Sequence, residues 1–303
     1  MGKFVAPLST NDMTQEMSTP NEMNTLGVVM RYRNSAVTLP RVLEALAAQT
    51  RQPDVIVGLD NGSTDGSRTM LERCEARIVN WTKPYHVSQV LNCGLDACAT
   101  DLVVVLSSHS VLTETDTFAR YEAAFVNPLV AAVSHRYLGV ERYSDEIDIA
   151  QVRRLGLGRG SFYSNSVGCL RRRFWEESPF DERLGFSAED YDWALTQLEH
   201  GRLVKLLNFT HEHNRGTAPP GIFLKTSRDV RAVANKHGLP MAKWGAGGDL
   251  YEPIHALYWF ARCLGRDPAA RRNLRNQLDW ARGALDWHRY DPFTMNPLQE
   301  FHA

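Results

Sequence analysis

The chain has no C-x-x-C pair. Its five cysteines, Cys74, Cys93, Cys98, Cys169 and Cys263, are odd in number and scattered. That excludes a disulfide framework and a zinc knuckle and fits a reducing compartment. Cys93 and Cys98 fall in a helical pattern and are expected in the core. Charge of one sign is also lacking: the formal net charge is −1, which argues against a nucleic-acid partner. No uninterrupted apolar run approaches the length needed to span a bilayer. No charged segment followed by an apolar stretch opens the sequence, so no signal peptide is expected. No repeat at a solenoid period is found. Residues 1–24, rich in Thr, Asn, Met and Ser, read as a flexible arm. What is present is the composition of a soluble globular protein, 43% hydrophobic and 23% charged. The 303 residues suffice for one large domain with an appendage.

The most informative stretch is Val55-Ile-Val-Gly-Leu-Asp60-Asn61-Gly62-Ser63-Thr64-Asp65-Gly66-Ser67. A β-branched run breaks into a polar turn and hands over to a helix near Asp65, which reads as strand, turn and helix N-terminus. In an open α/β sheet, ligands sit outside the carboxyl ends of the strands. Asp60 and Asn61 stand at such an end, and Gly62 allows close backbone approach. The same residues also fit an ordinary turn with Asp65 as N-cap. Two further strands end in the same way. Thr25–Met30 exits into Arg31-Tyr32-Arg33-Asn34, and Asp101–Leu106 exits into Ser107-Ser108-His109. The second of these is apolar throughout and reads as a fully buried parallel strand. Helices are expected over 38–49 with Thr38 as N-cap, 65–74, 85–98 and 114–125, and strands over 76–80 and 130–134. Alternation of this kind implies parallel pairing and right-handed crossovers.

Residues 139–160 are charged, contain glycine, and read as a mobile excursion. Glu189-Asp190-Tyr191-Asp192-Trp193 opens a helix ended by Gly201. A strand over 203–209 exits into His211-Glu212-His213. Beyond Thr217-Ala-Pro-Pro-Gly221 the pattern is helical. Leu274, Leu278, Ala281 and Leu285 form one stripe, with Arg271, Arg272, Arg275 and Arg282 on other faces and Trp280, Trp287 and Tyr290 nearby. These helices either pack on the main domain or present a basic, aromatic face to an anionic membrane. The expected organisation is an arm over 1–24, an α/β domain over 25–216 and a helical extension over 217–303.

At this point the sequence resembles family 2 glycosyltransferases of the GT-A fold over residues 25–215. Four stretches carry the resemblance: Arg31-Tyr-Arg-Asn34 with the following helix and Gln49-Thr50; Val57–Asp65; the strand ending in Ser107-Ser108-His109; and Asn165–Trp193. Within the last, Pro179-Phe180-Asp181-Glu182 followed by Glu189-Asp190 is similar to bacterial members that build surface polysaccharides, including rhamnosyl- and galactosyltransferase-like proteins. The resemblance implies a Rossmann-like, mostly parallel sheet flanked by helices. It implies a nucleotide-sugar pocket using Arg31, Asn34, Asp60, Asn61, Asp65, Asn92, Ser107 and Ser108. The family usually places a D-x-D motif where Ser107, Ser108 and His109 stand, so this chain departs from the pattern. Animal relatives that start mucin-type glycans use D-x-H there, which implies that His109 can ligate a divalent metal together with His211 or His213. Those two histidines are expected to face opposite ways, with His211 in the site.

Mixed imidazole and oxygen ligation favours Mn²⁺ over Mg²⁺. The alternative is that His109 bonds the phosphate directly or caps a strand exit. By the resemblance, Asp190 is the base of a single inverting displacement, with Glu189 beside it. Adjacent carboxylates are also a common charge arrangement at a helix N-terminus. Trp175 and Trp193 fit either a sugar platform or the core. Arg171, Arg172 and Arg173 fit either a diphosphate contact or a solvated turn. The expected activity is transfer of a sugar from a UDP or dTDP donor to a glycan or lipid-linked acceptor, in the cytoplasm or at the inner face of the membrane, with peripheral contact through the C-terminal helices. A non-catalytic relative that binds nucleotide sugar or glycan is the rival. A nucleotidyltransferase is disfavoured because Arg31-Tyr-Arg-Asn34 lacks the glycines of a phosphate loop.

Overall fold

The computed structural model describes residues 24–135, 145–159, 161–213, 221–239 and 268–286, together with Tyr290 and Phe293. Its centre is three parallel strands: β1 (Leu26–Tyr32), β2 (Val55–Asp60) and β4 (Leu102–Ser107). Each is a run of β-branched and aliphatic residues, as expected of strands covered on both faces. Side chains alternate across the sheet, so β1 sends Leu26, Val28 and Met30 into one core layer and Val29 into the other. In β4, Leu102, Val104 and Leu106 oppose Val103 and Val105 in the same manner. The first layer is completed by α1 (Leu39–Ala47), α2 (Ser67–Arg73) and α4 (Thr117–Ala124). The second is completed by α3 (Val87–Ala97), α7 (Glu189–Glu199) and α8 (Ile222–Lys236).

Five further strands extend the sheet. They are β3 (Arg77–Asn80), β6 (Val130–His135), β7 (Glu146–Ile147), β8 (Val167–Arg171) and β9 (Leu203–Leu207), in the order β3-β2-β1-β4-β8-β6-β9-β7. Sequence periodicity placed β4 among parallel neighbours, but its pairing with β8 is antiparallel. β8 is also antiparallel to β6, while β6 and β9 run parallel. A separate two-stranded ribbon joins β5 (Ser110–Leu112) to β10 (His211–His213). Two short helices, α5 (Ile149–Leu155) and α6 (Arg172–Glu177), complete the domain.

Several expectations need correction. Within 139–160, residues 145–159 hold β7 and α5, not a mobile excursion; α5 starts at a capping box between Asp148 and Gln151. The remainder of that excursion, the arm before Asn24 and Cys263 lie outside the described residues. Asp65 is not the cap of α2: Gly66 takes that place at φ 86°. Thr38 stands at the N-cap of α1 but caps nothing; its hydroxyl donates to Ser108 O at 2.8 Å. Cys98 is buried, whereas Cys93 is only half-buried.

The described part of 217–303 is α8 and α9 (Pro268–Asp286). The two helices approach closely at Gly283, where a Cβ would lie 2.4 Å from Leu224 O. Leu278, expected in the apolar stripe, is 52% exposed. Trp280 packs on the core, and Tyr290 lies against Arg228. Trp287 lies outside the described residues, and Arg271, Arg272, Arg275 and Arg282 are exposed. Among the described residues no helix is long and apolar enough to cross a membrane.

Contact between α3 and the central strands is tight at Gly94. A Cβ there would stand 2.6 Å from Leu59 Cδ1 and 2.7 Å from Val29 Cγ1. Gly94→Val is expected to lower stability by about 1–3 kcal/mol through overpacking, as read by urea unfolding; an unchanged midpoint would show that α3 does not bear on the sheet as described.

Candidate functional site

Register brings the three strand exits level. Arg31 in β1 lies opposite Leu59 in β2 and Ser107 in β4, and Tyr32 lies opposite Asp60. The loops beyond are tied to one another. Asp65 accepts from the Ala36 backbone at 2.9 Å and from the Ser67 hydroxyl and N–H. Asn34, held at φ 47°, accepts from Thr64 N at 2.8 Å, and its own N–H donates to the Ser63 hydroxyl. The Ser35 and Ser108 hydroxyls pair at 2.9 Å. Asp60 accepts from Ser63 N at 2.8 Å and is almost fully buried. Asn34, Asp60 and Asp65 therefore shape the strand-end loops. Arg31, Asn61, Ser107, Ser108 and His109 line the cleft of about 510 Å³ in front of them.

The opposite wall is the start of α7. Ala188 adopts φ 65°, which turns the chain so that Glu189 and Asp190 open the helix into the same cleft. Carboxylates are favoured at this end by the helix dipole. Both side chains are buried, and both are held. Asn165 donates its side-chain amide to Glu189 at 3.2 Å and its backbone N–H to Asp190 at 3.3 Å. Arg31 stands 3.5 Å from Glu189, and Arg159 stands 3.4 Å from Asp190. Burial, then the neighbouring Asp190, raises the Glu189 pKa above the ordinary carboxylate value. Behind them Asp229 of α8 accepts from the Ser187 hydroxyl at 2.9 Å. Asp229 as a residue is only half-buried, but its carboxyl is sunk among protein atoms, and burial pushes it up to about 7.

The histidines form a row. Ring centroids are 4.6 Å apart for His109 and His213, 6.2 Å for His213 and His211, and 4.4 Å for His211 and His135. Residues two apart on a strand share a face, so the expectation that His211 and His213 point opposite ways was wrong. His213 and His109 line the cleft, whereas His211 packs toward buried His135. His213 Nδ1 pairs with the Ser110 hydroxyl at 3.1 Å, directly across the ribbon. Burial lowers the pKa of His135 to about 3 and lowers that of His211, keeping both imidazoles neutral at pH 7. Among the described residues no group of three or more His, Cys, Asp or Glu side chains converges as a metal site.

Other expected site residues lie elsewhere. Asn92 is consumed by the core: it donates to Phe180 O at 2.9 Å and Glu182, and accepts from Trp175 Nε1 and Phe180 N. Trp175 and Trp193 are buried, the latter donating to Ser178 O. Arg171 binds the carbonyls of Phe125 and Val130, Arg172 pairs with Glu176, and Arg173 reaches Pro128 O. All three stand at the start of α6, outside the cleft. Sequence reasoning missed Arg159, Ser187 and Asp229, and also Tyr85 and Phe186, which line the cleft mouth. Phe186 was within reach, three residues before Glu189. Asp229 had no local signal, because its partner lies 42 positions away.

Residues 27–156 match the model of the family described as Glycosyl transferase family 2. The chain is 28% identical over 206 residues to the O-antigen chain rhamnosyltransferase RfbN of Salmonella typhimurium; the match spans 60% of this chain and 64% of that protein's length. In three dimensions it is similar to mannosyltransferase PcManGT from Pyrobaculum calidifontis in complex with GDP-Man and Mn²⁺. The TM-score there is 0.63 at 16% identity, covering 89% of this chain and 88% of that one. It is also similar to glucosyl-3-phosphoglycerate synthase from Mycobacterium tuberculosis in complex with Mn²⁺, UDP-glucose and phosphoglyceric acid. Here the TM-score is 0.54 at 20% identity, covering 72% and 81%. The structural likenesses establish the fold, a mostly parallel eight-stranded GT-A sheet with flanking helices, and the family match lies over its first half. Over residues 27–156 the chain is similar to glycosyltransferase family 2, and that segment lies within the GT-A fold.

Proposed function

We propose that this chain transfers one sugar, with inversion, from a nucleoside-diphosphate donor to a hydroxyl of a glycan acceptor. The observation that carries this reading is the meeting of Asp190 and Glu189 with the exits of β1, β2 and β4 in a single cleft. The nucleotide lies along the strand-end loops, near Asp60 and Asn61, as ligands do in open α/β sheets. Arg31 and Arg33 line that side and attract the diphosphate. The acceptor oxygen attacks the anomeric carbon, the bond to the diphosphate oxygen breaks, and Asp190 takes the hydroxyl proton. Arg159 and Asn165 hold Asp190 in place for that transfer. The rhamnosyltransferase relative supports a polysaccharide acceptor. UDP and dTDP are the expected donor nucleotides.

His109 and His213, with ring centroids 4.6 Å apart, would hold a divalent cation, and their imidazoles favour Mn²⁺ over Mg²⁺. Bound there, the cation would neutralise charge on the leaving diphosphate. Ser107 and Ser108 add hydroxyl donors and no charge.

Melting the protein against UDP, GDP, dTDP and CMP, each with Mn²⁺, Mg²⁺ or EDTA, tests donor binding. Ligand at a hundred times its Kd adds about 2.7 kcal/mol of stability. One nucleotide is expected to raise the Tm; silence from all four would favour a glycan-binding protein without turnover. Asp190→Asn should retain that shift and lower kcat by roughly 10²–10⁴-fold; near-normal turnover would remove Asp190 as base. His213→Ala should abolish the Mn²⁺-dependent part of the shift, and His211→Ala should leave it largely intact. The reverse pattern would move the cation to the inner end of the histidine row.

Protonation near the base gives a further test. Asp229 binds its proton more tightly in the fold than the usual value of 3.8. The folded state therefore carries a proton that the unfolded chain has lost, and stability falls as pH rises from about 4 to about 7. Arg159 and Glu189 face the same carboxyl, with opposite effects. Asp229→Asn is expected to flatten that part of the stability profile, measured by urea unfolding from pH 4.5 to 8. An unchanged slope would mean that the carboxyl is ionised throughout.

A further inference from the structure

Two aromatic rings at the mouth of the cleft are used by nothing described above. Tyr85 is 47% exposed and Phe186 is 39% exposed, and both line the cleft. Large aromatics are costly to leave in water without a partner. These two come from distant parts of the chain and are brought together by the backbone. Val87 N donates to Gly185 O at 2.9 Å, and the Ser88 hydroxyl donates to Leu184 O. Phe186 follows Gly185 directly and Tyr85 stands two residues before Val87, so both rings lie next to this hydrogen bond. Gly185 permits the approach: a Cβ there would stand 2.8 Å from His86 Nε2, with the rest of the imidazole close behind.

The rings are aimed by their surroundings. Lys225 Nζ lies 5.5 Å from the Phe186 centroid, a cation over the ring that restrains its orientation. Tyr85 lines the cleft together with Arg31, which also faces Glu189. Ile222 and Thr226 of α8 line the same cleft. Phe186 is followed at once by Ser187, Ala188, Glu189 and Asp190, so one ring is fixed on the short segment that delivers the carboxylates.

We infer that Tyr85 and Phe186 form an acceptor subsite that binds a pyranose of the glycan by stacking its C–H face on the rings. A pyranose has one comparatively apolar face of axial C–H bonds and a rim of hydroxyls. Aromatic rings with a negative face bind such C–H groups, while the hydroxyls remain available for hydrogen bonding. The Tyr85 hydroxyl and Thr226 supply polar groups at the rim. An acceptor seated there lies beside Asp190, and the nucleotide occupies the strand-end side, so the two ligands meet across the cleft. The subsite deepens the glycosyltransferase reading and rests on it.

Saturation-transfer NMR on the full chain tests this with rhamnose-, mannose-, galactose- and glucose-terminated oligosaccharides, with and without UDP or dTDP. At least one oligosaccharide is expected to receive saturation from the wild type. Phe186→Ala and Tyr85→Ala should each weaken its binding about tenfold, and Phe186→Trp should restore it. Phe186 is 39% exposed and outside the buried core, so its alanine variant should fold and should keep the nucleotide-dependent Tm shift. Equal binding by wild type and Phe186→Ala, or no binding of any oligosaccharide by the wild type, overturns the subsite. The donor reading fails separately, through loss of the nucleotide shift in the same samples. Where a sugar is transferred, Phe186→Ala should raise acceptor KM more than it lowers kcat; the opposite split would assign the ring to the chemical step.

Discussion

Everything in the candidate site depends on the hydrogen bonds that lock the three strand-end loops to one another. Parallel pairing brings Arg31, Leu59 and Ser107 level, but strands alone leave the loops beyond them free to diverge. Asp65 on Ala36, Asn34 on Thr64, and Ser35 and Thr38 on Ser108 close that freedom. Each bond joins one loop to another and none extends a helix or strand. Polar groups that look like ligand contacts in sequence are thereby used to build the surface on which a ligand would lie. That is why Asp60 and Asp65 are acidic and near the site yet already engaged. The resemblance that singled them out is compatible with both roles, because a rigid loop is what a nucleotide site needs.

Much of the first half of the fold was legible because its signals are local. β-branched runs, period-two alternation and polar exits marked β1, β2 and β4, and helical spacing marked α1 and α3. Pairing direction was not local. β4 reads as a parallel strand from its apolar run alone, and only the return of β8 beside it makes one edge antiparallel. The same limit hid Asn92, whose amide is spent on Phe180, Glu182 and Trp175, 83 to 90 positions away. For the histidines the failure was different. Their spacing was in hand, and strand geometry applied correctly puts His211 and His213 on one face. Which of them enters the cleft follows from the pairing of β10 with β5, and that pairing has no signature in either short strand.

The C-terminal helices are also more closely tied to the site than their composition suggests. Asp192, two residues beyond Asp190, receives Lys236 Nζ at 2.7 and 2.9 Å and His237 Nε2 at 3.0 Å; His237 Nδ1 meets Glu199 at 2.8 Å. These contacts bind the end of α8 along α7. Nearer its start, α8 contributes Asp229 behind Ser187 and Thr226 to the cleft wall. One helix therefore fixes the body of α7, the turn before it and part of the mouth. A domain boundary near residue 217 describes the sequence pattern better than the mechanics, because the helix that carries the proposed base is supported from beyond it.

The balance of charge in the cleft bears on what the serines at 107 and 108 change. Arg31, Arg33 and Arg159 line it against Glu189 and Asp190, so formal cations outnumber anions before any metal is considered. Acids at the end of β4 would add negative charge where the proposed diphosphate sits, and a metal would then be needed to offset it. Serines remove that demand, and paired imidazoles bring no charge when neutral. The arginines can hold an anionic leaving group directly, through charge-assisted hydrogen bonds. The two carboxylates stay confined to the far wall, each beside an arginine. This pairing lets Glu189 and Asp190 stand near a proposed donor carrying like charge, since Arg31 and Arg159 lie 3.5 and 3.4 Å from them. A divalent cation would strengthen an attraction that the protein already supplies, and the spacing of opposite charges across the cleft is the feature on which the proposed chemistry turns.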